Sequence, residues 1–90
     1  MKLSIIVCVY NEINTLEEIL KRINNAFLPP KFDKEIIIID NNSTDGTREF
    51  LDKLKNTNKY KIFFQKKNYG KGNSIITGIN EATGYYTVFQ

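Results

Sequence analysis

Three short polar clusters hold the groups in this sequence that suit ligand chemistry: Tyr10-Asn11-Glu12, Asp40-Asn41, and Gln65 through Gly72. Asn and Asp side chains pair with the edge of a base, and a carboxylate accepts from an imide N–H or from ribose hydroxyls. Tyr10 offers a ring for stacking on a base. Lys66, Lys67 and Lys71 offer charge for phosphate, while Gly70 and Gly72 let backbone N–H groups approach an anion near a helix start. Together these types suit a nucleotide whose base sits between the segments leading into the first two clusters.

Plainer readings cover part of the same residues. Asn41 through Asp45 is also a helix-capping turn, because Asx and Ser/Thr side chains bond locally to backbone there. That explains Ser43, Thr44 and Asp45 better than a ligand does. It explains Asp40 less well, since Asp40 ends the apolar run Ile36–Ile39. Lys66-Lys67 fits a solvated turn, and Tyr10 fits a ring covering a sheet edge. Gly70-Lys71-Gly72 lacks the third glycine of a dinucleotide fingerprint and follows the wrong strand for one. The run from Asn41 to Asp52 is only superficially like a calcium loop: a strand precedes it, and its last position is Asp rather than the bidentate Glu. With no His and a single Cys, a structural zinc site and an acyl-transfer triad of the Ser-His-Asp kind are excluded.

Positioning these clusters requires alternating strands and helices. Leu3–Val9 is apolar except for Ser4, and Glu35–Asp40 is dominated by four consecutive isoleucines. Such runs suit strands of a parallel sheet, covered on both faces. Tyr60–Gln65 and Tyr85–Gln90 give a third and fourth strand. Leu16, Ile19, Leu20, Ile23 and Phe27 fall on one helical face, closed by Leu28-Pro29-Pro30. Thr15 with Glu18 has capping-box spacing, and Asn11 and Asn14 are equally good caps for an earlier start. Phe50, Leu51 and Leu54 mark a second helix, capped by Ser43, Thr44 or Asp45. Ile75, Ile76, Ile79 and Ala82 mark a third, opened by Gly70-Lys71-Gly72 and closed by Gly84. The expected architecture is a βαβαβαβ three-layer α/β sandwich with a mostly parallel sheet. The three polar clusters then share the carboxyl edge of that sheet, where ligands bind in open α/β folds.

Ninety residues, 41% hydrophobic, make one domain with a modest core. The formal charge of +3 describes an ordinary surface with a mild basic bias, compatible with an anionic ligand. Cys8 alone rules out an internal disulfide and suits a reducing compartment such as the cytoplasm. No segment approaches a membrane span in length, and the start lacks a signal-peptide pattern. A phospho-receiver domain shares the alternating architecture, but here Gln65-Lys66-Lys67 follows the third strand where it needs an Asp. A nucleic-acid module would use the interleaved lysines and aromatics of residues 59–71, yet Phe63 and Phe64 are more economically strand core.

Four stretches resemble the N-terminal half of family 2 glycosyltransferases, particularly the subgroup of dolichyl-phosphate mannose synthases and bacterial polyprenyl-phosphate glycosyltransferases. They are Ser4 through Glu12, Glu35 through Thr47, Asn68 through Gly72, and Ala82 through Tyr86. The resemblance implies an A-type glycosyltransferase fold that binds a nucleotide-sugar such as a UDP- or GDP-sugar and transfers the sugar to an acceptor, for example a polyprenyl or dolichyl phosphate. It implies that Val9, Tyr10 and Glu12 line the nucleoside pocket, that Asp40 and Asn41 contact base or ribose, and that Gly70 and Lys71 lie near the nucleotide. Cys8 stands where the family usually has Pro, and Asn41 where a second Asp is common. The resemblance also implies an Asp-x-Asp motif holding Mg2+ or Mn2+ just after the fourth strand. The expectation is therefore that residues 1–90 are one nucleotide-sugar-binding domain, the N-terminal piece of a longer catalytic domain. On that expectation it carries no metal ligands of its own, and its parent works at the cytoplasmic face of a membrane.

Overall fold

The protein is described by a computed structural model covering residues 2–25, 33–57, 59–84 and 86–89, without the side chains of Lys71 and of 86–89. The expected helix stop at Leu28-Pro29-Pro30, the apolar position Phe27, and the strand ends Tyr85 and Gln90 lie outside the described residues. Elements alternate as expected: β1 (Lys2–Val9), α1 (Leu16–Asn25), β2 (Asp33–Asp40), α2 (Thr47–Lys55), β3 (Tyr60–Phe64), α3 (Lys71–Glu81) and β4 (Tyr86–Phe89). All strand pairs are parallel, in the order β3-β2-β1-β4. From β1 to β3 the chain steps in one direction across the sheet; from β3 to β4 it returns past both. Crossovers of one hand then put α1 and α2 on one face and α3 on the other.

Strand alternation divides the core accordingly. Ile5, Val7, Val9, Ile36, Ile38 and Ile62 pack with Leu16, Leu20, Ile23 of α1 and Leu51 of α2. Ile6, Ile37 and Ile39 point the other way, with Cys8, Phe63 and Ala82 against them. Gly78 lets α3 settle directly on this second layer: a Cβ there would lie 2.5 Å from Cγ2 of the fully buried Ile6. β1 and β2 are in register from Lys2 opposite Asp33 to Val9 opposite Asp40, so both strands end at one rim.

The opposite rim is fastened by Glu35. Its carboxylate accepts from Ser4 Oγ (2.6 Å) and from the backbone N (2.8 Å) and Oγ1 (2.9 Å) of Thr83, and pairs with Lys61 Nζ at 2.6 Å. Burial pushes this carboxyl up, but the Lys61 ammonium and the bonds from Ser4 and Thr83 outweigh it and hold the pKa at about 2.

The same clamp corrects one sequence expectation. Gly84 does not close α3, which ends at Glu81 with Ala82 as an extended C-cap. Gly84 instead lies flat on β1, where a Cβ would stand 2.6 Å from Ser4 Oγ and 2.8 Å from the Lys2 carbonyl oxygen. The helix starts differ too. Gly46, in a left-handed conformation at φ 102°, is the N-cap of α2, with no side-chain cap. Thr15 donates to Glu12 Oε2 rather than forming a capping box with Glu18.

Gly78→Ala should destabilise the fold by about 1–2 kcal/mol, because overpacking against Ile6 outweighs the roughly 1 kcal/mol gain in helix propensity; a urea melt showing a more stable variant would refute the close approach. Glu35 is depressed from its ordinary value of 4.5 to about 2. Its stabilisation, on the order of 3 kcal/mol, is therefore complete above about pH 4.5 and lost as pH falls toward 2. Wild type and Glu35→Gln should accordingly converge in stability across that window, and parallel pH profiles would contradict the clamp.

Candidate functional site

The carboxyl rim is built from two sharp bends at asparagines. Asn11 follows β1 at φ 52° and Asn42 follows β2 at φ 67°. Asn is among the few non-glycine residues that tolerate this left-handed region. The two bends are stitched together. Asn11 N–H donates to Ser43 Oγ (2.9 Å), Thr44 N–H to Asn11 Oδ1 (2.7 Å), Glu12 N–H to Thr47 Oγ1 (3.1 Å) and Ile13 N–H to Asp45 Oδ2 (3.2 Å). The polar run that read as helix caps is thus the seam to which the loop after β1 is sewn. Asp45 also accepts from the side chain and backbone of Thr47, and these bonds hold its carboxyl below the usual range.

Beneath the seam lies Asp40, fully buried. Its Oδ1 accepts from Ser43 Oγ at 2.6 Å and its Oδ2 from Ser43 N–H at 3.1 Å, with Arg48 Nη1 3.5 Å away. Arg48 also donates to Asn42 Oδ1 (2.9 Å) and to the Gln65 carbonyl (3.0 Å), and lies 4.8 Å over the Phe64 ring. Sequence reading missed Arg48. The available signal was its place in the first turn of α2, where a cation opposes the helix dipole and so needs a partner elsewhere.

Alternation decides which of the predicted residues meet. Asp40 shares the α2 face with Ile36 and Ile38, whereas Asn41 follows it on the α3 face with Ile37 and Ile39. An open cleft of about 220 Å³ on that α3 side is lined by Cys8, Val9, Tyr10, Glu12, Asn41 and Ser74. Four of the seven residues predicted at the site, Val9, Tyr10, Glu12 and Asn41, therefore come together. Asp40 does not line the cleft; its carboxylate is turned to the other face and saturated there. Gly70, at φ 90°, precedes α3 beside the cleft, and the Lys71 side chain lies outside the described residues. Ser74 was also missed: it is fully buried one turn into α3, bonding to Gln65 Oε1 (3.2 Å).

The cleft is chemically mixed. Tyr10 keeps 46% of its surface exposed and presents a ring at the mouth, the Glu12 carboxylate and Asn41 carboxamide supply polar edges, and the Cys8 thiol forms part of the wall. This combination of a stacking ring and a few convergent polar groups suits a planar heterocycle with a polyhydroxyl substituent. A larger cavity of about 290 Å³ lies against α2, lined by Arg48, Glu49, Asp52 and Phe64. Its two free carboxylates disfavour an anion, and Arg48 is already engaged. The residues present do not fit a divalent metal: among the described residues no group of three or more His, Cys, Asp or Glu converges. The carboxylates nearest the cleft are either saturated, as in Asp40, or bonded to a neighbour, as Glu12 is to Thr15. Phe63 packs into the sheet layer and Phe64 lies under Arg48 and Lys55, so the lysine-aromatic interleaving of residues 59–71 is not an open stacking surface.

A family model for glycosyl transferase family 2 matches residues 4–90. The chain belongs to that family. It is 38% identical over 88 residues to a cholesterol galactosyltransferase of Borreliella burgdorferi, covering 98% of this chain and 24% of that protein. It is 36% identical over 84 residues to a dolichol-phosphate mannosyltransferase of Pyrococcus furiosus, covering 93% and 23%. Among solved structures, it superposes on S. aureus TarS 1–349 in complex with UDP with a TM-score of 0.84 at 27% identity, covering 100% of this chain and 27% of that one. The mannosyltransferase PcManGT from Pyrobaculum calidifontis, in complex with GDP-Man and Mn2+, gives 0.82 at 27% identity over 94% and 25%. The A-type glycosyltransferase fold expected from the sequence is borne out, and the chain spans about a quarter of the length of these family 2 relatives.

Asp40→Asn should cost about 2–3 kcal/mol. The carboxamide oxygen can still serve Ser43 N–H, but an N–H then replaces the acceptor of the Ser43 hydroxyl, and Arg48 loses its countercharge. Chemical denaturation measures this, and an unchanged midpoint would show that the carboxylate does not organise the rim.

Proposed function

We propose that the cleft beside β1 and α3 holds the nucleoside of a nucleotide-diphosphate sugar, and that the chain is the N-terminal, nucleotide-binding part of a longer glycosyltransferase catalytic domain. The observation that carries this reading is the cleft at the carboxyl rim of a parallel sheet that gathers the exposed Tyr10 with Glu12 and Asn41. The base stacks on Tyr10, Glu12 accepts from base or ribose, and the backbone of Val9 lines the inner wall. Gly70 and Lys71, at the start of α3, are the positions nearest the phosphates in this reading, and Asp40 serves by holding the rim from below. UDP and GDP are the donors to test first, since similar structures carry UDP, UDP-GlcNAc and GDP-Man.

The sugar passes to an acceptor, for which the dolichol-phosphate mannosyltransferase relative suggests a polyprenyl phosphate. The similar mannosyltransferase structure with Mn2+ supports a divalent metal in the complete enzyme, held by residues other than those described here. We place the domain in the cytoplasm, where the Cys8 thiol stays reduced. No described helix is long and apolar enough to cross a membrane.

Titrating the 15N-labelled chain with UDP and GDP should move the backbone amides of Cys8–Glu12, Asn41 and Ser74 at millimolar nucleotide. Tyr10→Ala should weaken binding about five- to tenfold, the effect of losing one stacked base contact. Absence of shifts with both nucleotides overturns the reading.

A further inference from the structure

We propose that Asn68, a residue with no role in the reading above, is a positioning residue that works through Asn41 to set the width of the cleft. The proposal rests on the nucleotide-binding reading for its purpose but not for its geometry. The Asn41 carboxamide, on a residue only 7% exposed, meets the loop before α3 at both of its ends. Its Oδ1 accepts from the Tyr69 N–H at 3.1 Å, and its Nδ2 donates to Asn68 Oδ1 at 2.7 Å. The same Asn68 oxygen accepts from the Gly70 N–H at 3.0 Å. The orientation of both amides follows from these contacts, because two backbone N–H groups can face only oxygen.

The consequence reaches the start of α3. Gly70, the N-cap of α3, sits at φ 90° and ψ 159°, a conformation that favours glycine, and gives the helix no side-chain cap. Its N–H is held by Asn68, and its carbonyl accepts from Ser74 N–H at 3.3 Å. Asn41 and Ser74, which both line the cleft, are thus joined through Asn68 and Gly70. A carboxylate at position 41 is incompatible with this arrangement. It has no N–H to offer Asn68, and an Asn68 that rotated to donate to it would release Gly70.

Hydrogen exchange on the chain without ligand tests the connection. Asn68→Leu and Asn41→Asp should each deprotect the Gly70 amide. Tyr69 should stay protected in Asn41→Asp, which keeps its acceptor. Asn68→Asp keeps an oxygen for both donors and should restore Gly70 protection. UDP or GDP affinity should fall about tenfold in Asn68→Leu, as expected for a lost pair of hydrogen bonds at the site. Amides of β1 and β2 report that each variant folds. Unchanged Gly70 exchange in both Asn68→Leu and Asn41→Asp overturns the connection. Lost protection in Asn68→Leu with wild-type affinity overturns its role in binding. If the wild-type chain bound neither nucleotide, the donor-site reading and this role in binding would both fall, and the exchange pattern would still decide whether Asn68 and Asn41 hold the loop.

Discussion

A single buried anion organises the functional end of this molecule. Asp40 ends a strand whose preceding four residues are all isoleucine, and burying a carboxylate there is costly unless each oxygen is bonded. Ser43 supplies two donors and Arg48 a cation, and these partners are themselves tied elsewhere, Ser43 to Asn11 and Arg48 to Asn42 and Gln65. The charge thereby draws the loops after β1, β2 and β3 into one assembly. Removing it affects three segments, although it touches no part of the cleft.

This separates support from contact along adjacent residues. Asp40 and Asn41 differ by one position, and the period of two in a strand sends one beneath the rim and the other into the cleft. A side chain that braces the scaffold and one that faces the ligand are thus neighbours in sequence and opposites in space. Family membership accounts for why both are polar; the pleat accounts for why they have different tasks.

Much of the fold was readable because apolar runs and punctuation agreed. The isoleucines of β2, the helical spacing of Leu16, Leu20 and Ile23, and the capping-type residues after β2 each indicated the element that forms. The polar clusters were also correctly assigned to one rim. What was not readable depended on partners distant in the chain. Ser43 and Asp45 have the composition of helix caps; Asp45 does accept from Thr47 N–H at the start of α2, but Ser43 and Asp45 also accept from Asn11 and Ile13, bonds set by tertiary contact rather than propensity. Gly84 has the position of a helix-closing glycine but is required by the closeness of Ser4. Arg48 and Ser74 gave no motif, since their value comes from Asp40 and Gln65 reaching them across the sheet.

The strand order has a consequence for how the chain reaches this state. Among the described residues β4 pairs with β1, matching Leu3 with Tyr86, so the second side of β1 is covered by a segment remote from it in sequence. A ribosome releases β1 long before its second neighbour exists. Until then that strand presents a bare hydrogen-bonding edge of isoleucine and valine, the kind of edge that recruits other chains. Parallel pairings this remote in sequence are slow to form, and β1 is most vulnerable to aggregation during this interval, before β4 arrives.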